Sequence, residues 1–331
     1  MNSLCNLPVR ISGLGAYIPD KILDNKQIEQ MVETTDEWIM QRTGIRERRI
    51  AAPHQATSDL GAEAARKALE AARLPAGELD AIILCTCTPD HLFPATACLV
   101  QAAIGADNAF CYDLQAACSG FLFGTAQGAS LISSGMAENV LVIGAETLSR
   151  FTDWSDRGSC ILFGDGAGAA LLQKSNGDSE LIFSEMGSDG SRPEVLNIAG
   201  GGSRLVASSQ TVEDRKHFMH LEGRDVFKLA VGKLGQLVDV LPEKTGVKMQ
   251  DIALLIPHQS NERIIRSVCQ RAGLGQDRAY MNIDKVGNTS AASIPIAMKQ
   301  AVDEGKLKRG DLTLLLAFGG GLTWGSMLLR Y

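Results

Sequence analysis

With 331 residues, 45% hydrophobic and 21% charged, the chain can bury a large core or two ordinary domains and is too apolar to be disordered. A net charge of −6 argues against a nucleic-acid binder, and no apolar stretch reaches the length needed to span a bilayer. Eight scattered cysteines suggest neither a disulfide framework nor a metal site, and the start lacks a basic and then apolar leader, which points to a cytoplasmic protein.

In chain order, Thr34 and Glu37 fit a capping box for a short helix that sets Trp38 and Arg42 four residues apart on one face. The stretch TSDLGAEAARKALEAARLP predicts a helix capped by Thr57 or Ser58 and stopped at Pro75, with Leu60, Ala64, Ala68, Leu69 and Ala72 on one face. LDAIILCTC reads as a strand, residues 95–105 as a helix, and FCYDL as a strand. QAACSG leads into a helix rich in small residues, GFLFGTAQGASLISSG, and ENVLVIGAE is again a strand. CILFGDGAGAALLQ reads as two strands around a glycine turn. Such alternation predicts an α/β fold.

The second half repeats this order. MQDIALLIPHQSN answers ELDAIILCTCTPD, RAYMNIDKVGNTSAAS answers AFCYDLQAACSG, and GDLTLLLAFGGGLTWGSMLLRY answers ENVLVIGAE with its later hairpin. Asp80 to Cys118 spans 38 positions and Asp251 to Asn288 spans 37, a period far too long for a solenoid, so one βαβ-containing unit has been duplicated. Two such halves would pack face to face, with Cys118 and Asn288 in matching strand-to-helix turns aimed at one crevice.

An isolated buried cysteine is usually a small hydrophobe. A thiol just before a helix, however, lies at the positive end of the macrodipole, which favours its thiolate and makes Cys118 a candidate nucleophile. His258 in PHQSN and Asn288 in GNTSAAS follow apolar runs where a core segment needs no polar group. A lone histidine is most often a satisfied core residue and an asparagine there can simply cap a helix. The three together can open a thioester, move a proton and donate hydrogen bonds to an enolate.

DEWIMQRTGIRERR, QAACSG, DRGSCILFGDGAGAA, PHQSN, GNTSAAS and AFGGGLTWG occur in the order found in β-ketoacyl-acyl-carrier-protein synthase III, and the chain resembles that family over essentially its whole length. The resemblance implies a thiolase-like fold of two duplicated halves in five layers, αβαβα: residues 1–175 with nucleophile Cys118, and 176–331 with His258 and Asn288. It implies a homodimer in which Phe93 reaches the partner's acyl pocket. It also implies transfer of a starter from acyl-CoA, acetyl-CoA or another short acyl-CoA, to Cys118, followed by condensation with malonyl-acyl-carrier-protein. Acyl-CoA is then a substrate and no resident cofactor is expected.

By the same resemblance, the oxyanion hole uses the backbone N–H of Cys118 and of Gly320 or Gly321. Trp38 and Arg157 stack the adenine of CoA, with Arg42, Gly223 and Arg224 also in the CoA site, and Arg263 docks the carrier protein. Ser260 stands where the common pattern has Ala, and Arg224 where some members have Asn. A dinucleotide-binding dehydrogenase, suggested by GDGAGA, is excluded because Gly164, Gly166 and Gly168 do not fit G-x-G-x-x-G. A noncatalytic acyl-binding protein of the same fold would not need the three polar groups together, and a degradative thiolase would need a second cysteine near the C-terminal glycines. A specialised condensing enzyme for quinolone or polyketide priming is the alternative within the superfamily.

Overall fold

The computed structural model describes residues 2–177 and 180–331, and the side chains of residues 2–5, Cys5 among them, lie outside the described set. The chain runs through β1 (Asn2–Leu7), β2 (Val9–Tyr17), β3 (Lys21–Asp24), α1 (Asn25–Ile28), α2 (Asp36–Thr43), β4 (Glu47–Ile50), α3 (Thr57–Ala72), β5 (Ala81–Cys85), α4 (Thr96–Ile104), β6 (Phe110–Leu114), α5 (Gly120–Ser133), β7 (Val140–Thr147) and β8 (Asp165–Lys174). It continues through β9 (Glu180–Ser188), β10 (Leu196–Asn197), α6 (Ser209–Glu213), β11 (His220–Leu221), α7 (Gly223–Thr245), β12 (Leu254–Pro257), α8 (Glu262–Ala272), α9 (Ile283–Val286), α10 (Ser293–Asp303), β13 (Leu312–Gly319) and β14 (Thr323–Arg330).

Two five-stranded sheets carry the molecule, one ordered β2-β8-β7-β5-β6 and the other β1-β9-β14-β13-β12. The repeat seen in the sequence is carried strand for strand: β2, β8, β7 and β5 correspond to β9, β14, β13 and β12. The counterpart of β6 is reduced to a single parallel bridge between Ala279 and Leu255. Strand β1 adds instead to the far edge of the second sheet, antiparallel to β9.

The layers follow from burial. β5, β7 and β13 are buried at every position, as strands covered by helices on both faces must be. α3 and α4 cover the outer face of the first sheet, and α7 and α8 that of the second. Helices α5 and α10 lie between the sheets, where Phe121, Leu122, Ile294 and Met298 join residues of both in one core. This is a five-layered αβαβα thiolase-like fold. The middle layer is tight: a Cβ on Gly144 of β7 would stand 2.3 Å from the carbonyl oxygen of Ala291.

Four local expectations are corrected. The N-cap of α2 is Thr35, whose hydroxyl accepts the Trp38 N–H at 3.1 Å, rather than Thr34. That of α3 is Ala56, with Asp59 returning to its N–H, because the Thr57 hydroxyl is drawn to Thr88 O and the Ser58 hydroxyl to Asp90. CILFGDGAGAALLQ gives one strand, β8, which begins at Asp165. Finally, Ala117 and Ser290 share the left-handed conformation, with φ of 45° and 47°, and each opens a single 3-10 turn leading into α5 or α10. The positional counterpart of Cys118 is therefore Ala291, and Asn288 sits three residues earlier in the matching turn.

Candidate active site

The Cys118 turn is made where the two halves meet. After β6, the left-handed Ala117 puts Cys118 at the mouth of α5, buried, with the Thr323 hydroxyl of β14 holding the preceding carbonyl, Ala116 O, at 2.8 Å. Gly319, at the end of β13, lies against it. A Cβ there would stand 2.7 Å from Cys118 N and 3.1 Å from Cys118 Cβ, so only glycine lets the hairpin approach the Cys118 backbone. Of the two glycines expected at the oxyanion hole, Gly320 packs toward Leu196, and Gly321 turns the chain with a φ of 126°.

Burial pushes the Cys118 thiol up to about 12; the Ser290 hydroxyl pulls it down and the nearby Glu146 carboxylate adds to the rise. The resting group is thus a neutral thiol. The helix terminus alone does not yield the thiolate expected from the sequence, because desolvation outweighs it.

His258 follows β12 directly, and its N–H donates to Leu316 O of β13 at 2.7 Å. The ring is buried, its Nδ1 lies 2.6 Å from the Ser293 hydroxyl at the start of α10, and burial lowers its pKa to about 3, so it is neutral at physiological pH. Asn288 is clamped by the first half of the chain: its N–H donates to Leu162 O and its carbonyl accepts the Gly164 N–H, both at 2.9 Å. Its Oδ1 accepts the Ser290 N–H at 2.9 Å, and among the described residues Nδ2 has no protein partner. The turn after Asn288 packs on the Cys118 turn, with the Ser290 hydroxyl 3.9 Å from Cys87 Sγ and placed to lower the pKa of the Cys118 thiol. The structure therefore links Asn288, Ser290 and Cys118 in one cluster, with His258 tied to the same helix start through Ser293. These parts can hold a nucleophilic sulfur and present N–H donors to a developing oxyanion.

A second group of expected residues lies on one surface region. Trp38 carries two guanidinium groups over its ring, Arg42 at 5.0 Å and Arg157 at 4.6 Å from the centroid. Arg157 also donates to Glu33 O at 3.1 Å, and its turn is anchored by Asp153, a carboxylate held down to about 2 by its ion pair with Arg215. Asn261 Nδ2 donates to Arg42 O at 2.9 Å, joining α2 to the cap of α8, where exposed Arg263 lies over the Phe227 ring of α7 at 5.0 Å. Gly223 and Arg224 open α7 and are exposed. Phe93 is 86% exposed and Leu92 85%, in the loop before α4, so Phe93 fills no pocket of its own subunit.

Ser290, Ser293, Gly319 and the Asp153–Arg215 pair were not singled out from the sequence. The run GNTSAAS did carry a signal, since Ser290 and Ser293 are three apart and share one side of a helical turn. Gly319 lies in the quoted run AFGGGLTWG, but its closeness to Cys118, like the ion pair, depends on contacts between distant segments.

Residues 112–190 match the family described as 3-oxoacyl-[acyl-carrier-protein (ACP)] synthase III, and residues 243–331 match its C-terminal region. The chain is 50% identical over 325 residues to a β-ketoacyl-[acyl-carrier-protein] synthase III of Solibacter usitatus, covering 97% of this chain and 98% of that protein. It superposes on the crystal structure of 3-oxoacyl-[acyl-carrier-protein] synthase III from Aquifex aeolicus with a TM-score of 0.90 at 46% identity, covering 98% of this chain and 100% of that one. The priming β-ketosynthase of the R1128 polyketide pathway is similar at 32% identity, with a TM-score of 0.89 over 99% of this chain and 98% of that one. The chain belongs to the β-ketoacyl-acyl-carrier-protein synthase III family.

Proposed function

We propose that this protein condenses a short acyl-CoA starter with malonyl-acyl-carrier-protein, releasing CO2 and CoA and starting a type II fatty-acid chain. The observation that carries the reading is the cluster in which buried Cys118 meets the turn holding Asn288, with His258 oriented from the same helix start. Cys118 takes the acyl group as a thioester. As malonyl thioester loses CO2, His258 and the free Nδ2 of Asn288 donate to the enolate oxygen, and the carbanion then attacks the acyl-Cys118 carbonyl. Identity of 50% to a β-ketoacyl-[acyl-carrier-protein] synthase III against 32% to a polyketide priming β-ketosynthase favours the fatty-acid role.

In this reading acyl-CoA enters over Trp38 and Arg157. A nucleobase between them needs roughly 7 Å from ring to guanidinium, two van der Waals contacts, so Arg157 must swing off the ring as adenine arrives. Exposed Arg263 on α8 offers positive charge to an acidic carrier protein, whereas its neighbour Arg266 is ion-paired with Glu262. A homodimer is supported by the exposed apolar Leu92, Phe93 and Phe110 beside β6, which has no strand on its outer side among the described residues. The seven described cysteines are free thiols, in keeping with a cytoplasmic setting, and no described helix is long and apolar enough to cross a membrane.

The test separates the half-reactions. Asn288→Ala should still form acyl-Cys118 from labelled acyl-CoA while CO2 release from malonyl-acyl-carrier-protein drops on the order of a hundredfold or more. Poor acylation with normal decarboxylation would assign Asn288 the wrong step.

A further inference from the structure

The turn that carries Arg157 is held mostly by itself. The Asp156 N–H donates to Asp153 O at 3.0 Å, the Ser155 N–H to Asp153 Oδ1 at 2.9 Å, and the Trp154 indole N–H reaches only as far as Ser149 O at 3.1 Å. Among the described residues, hydrogen bonds tie residues 153–158 to distant segments at two places: Arg157 itself, on Glu33 O, and Arg215. The first belongs to the very guanidinium that must swing off the Trp38 ring to admit a base. Arg215 stands apart from that motion.

Arg215 is built into its place. Its backbone is left-handed, with φ of 58°, and its guanidinium lies 4.9 Å from the centroid of the Phe218 ring. Nε donates to Asp153 Oδ2 at 2.7 Å and Nη2 to Asp153 Oδ1, a fork on a carboxylate, while Nη2 also reaches Ser155 Oγ at 3.0 Å. The Asp153 side chain is only 14% exposed, so water is a poor substitute for this partner. Four residues on, the Met219 N–H donates to Phe151 O at 2.7 Å, and residues 215–219 thus lie as a brace beside 151–155. That brace continues to the reaction centre. Met219 packs with Leu148 and Phe163, and the segment 198–219 leaves from β10, whose Leu196 lies against Gly320.

We propose that Asp153 and Arg215 are positioning residues that hold Arg157 in register for the nucleotide end of acyl-CoA, by fixing its turn to the segment 198–219. The inference rests on the reading of Trp38 and Arg157 as the CoA platform. An arginine that leaves its resting contacts to clamp a base has its reach set by where its backbone stands. A turn fixed beforehand spares the substrate the cost of ordering it. Neither residue serves the thioester end, so their effect is confined to starters that carry the nucleotide.

The experiment compares acetyl-CoA with S-acetyl-pantetheine, which ends before the nucleotide, on the full-length enzyme. Arg215→Ala and Asp153→Asn, the latter keeping an oxygen for the Ser155 N–H, should each raise KM for acetyl-CoA about threefold to fivefold, the scale of a partly exposed ion pair. Both should leave kcat and KM for malonyl-acyl-carrier-protein near wild type. Arg215→Lys, which keeps the charge and loses the fork, should fall between. Labelling of Cys118 by S-acetyl-pantetheine should run at the wild-type rate in all three, and Arg215→Ala should add no further rise in KM to Arg157→Ala. If Asp153→Asn does not fold, the two Arg215 variants decide. An unchanged KM for acetyl-CoA in Arg215→Ala where Arg157→Ala raises it, an equal loss with S-acetyl-pantetheine, or additive losses in the double variant would each overturn the positioning role and leave the platform standing. An unchanged KM for acetyl-CoA in Arg157→Ala would overturn the platform and this inference with it.

Discussion

The Ser293 hydroxyl lies 2.6 Å from His258 Nδ1 and also accepts the Gln259 N–H at 3.3 Å, which leaves its own hydrogen free to turn to the imidazole. A neutral ring that accepts at Nδ1 carries its proton on Nε2, which is the form able to donate to an enolate oxygen. Donating there, Ser293 would orient the ring and hold it in that tautomer. Ser293→Ala should slow CO2 release from acyl-enzyme roughly tenfold to a hundredfold, a common cost of losing the partner that orients a working imidazole, and should spare Cys118 labelling. Single-turnover measurement of both steps checks it, and an undiminished CO2 rate counts against the role.

The depressed pKa of His258, about 3, has a pH consequence of definite sign. The unfolded chain binds a proton near pH 6.5 that the folded ring refuses, so stability is fully present above that value and falls as pH drops toward 3, by at most about 1.4 kcal/mol per pH unit from this group. Between pH 8 and 6 the acyl-enzyme turnover should therefore show no inflection near 6.5. Urea midpoints should fall less steeply from pH 7 to 4.5 in His258→Gln than in wild type. A wild-type inflection near 6.5 that vanishes in that variant would show that the ring titrates normally.

Gly319→Ala should abolish condensation with little loss of fold. The added methyl would stand 2.7 Å from Cys118 N, a backbone atom fixed by the turn, so either β13 or the nucleophile must move. A displacement of about 1 Å at a reacting centre can cost a hundredfold in rate. A circular-dichroism melt beside the acylation assay separates damage to the site from damage to the fold, and near wild-type acylation contradicts the contact.

The Trp38 platform predicts a split between substrates. Trp38→Ala or Arg157→Ala should raise KM for acyl-CoA severalfold while leaving KM for malonyl-acyl-carrier-protein nearly unchanged, since base and cation–π stacking are each worth about 1 kcal/mol or more. Steady-state kinetics with each substrate varied in turn gives the answer. Equal increases for both would move the CoA site elsewhere.

Much of this architecture was legible because the determinants are local: apolar runs of strand length, an amphipathic α3, and a repeat of matching order. The polar residues after apolar strands, His258 and Asn288, stood out for the same reason. What stayed hidden depends on cross-chain geometry. The caps of α2 and α3 each fell at a different residue from the one expected, and in α3 this is because long-range partners, Thr88 and Asp90, claim the nearby hydroxyls. The true counterpart of Cys118 is Ala291, a shift that only the shared left-handed φ of Ala117 and Ser290 reveals. The balance between helix terminus and desolvation at Cys118 could not be weighed without knowing how deeply the thiol is buried.

The central claim is that Cys118 carries the acyl group between the two half-reactions. Intact-protein and peptide mass spectrometry after incubation with acetyl-CoA tests it most directly, with Cys118→Ala alongside. The account predicts one acetyl adduct per chain on the peptide containing Cys118, discharged by malonyl-acyl-carrier-protein and absent from the variant, which should also fail to condense. An adduct that persists in Cys118→Ala, or a variant that still condenses at near wild-type rate, would contradict it.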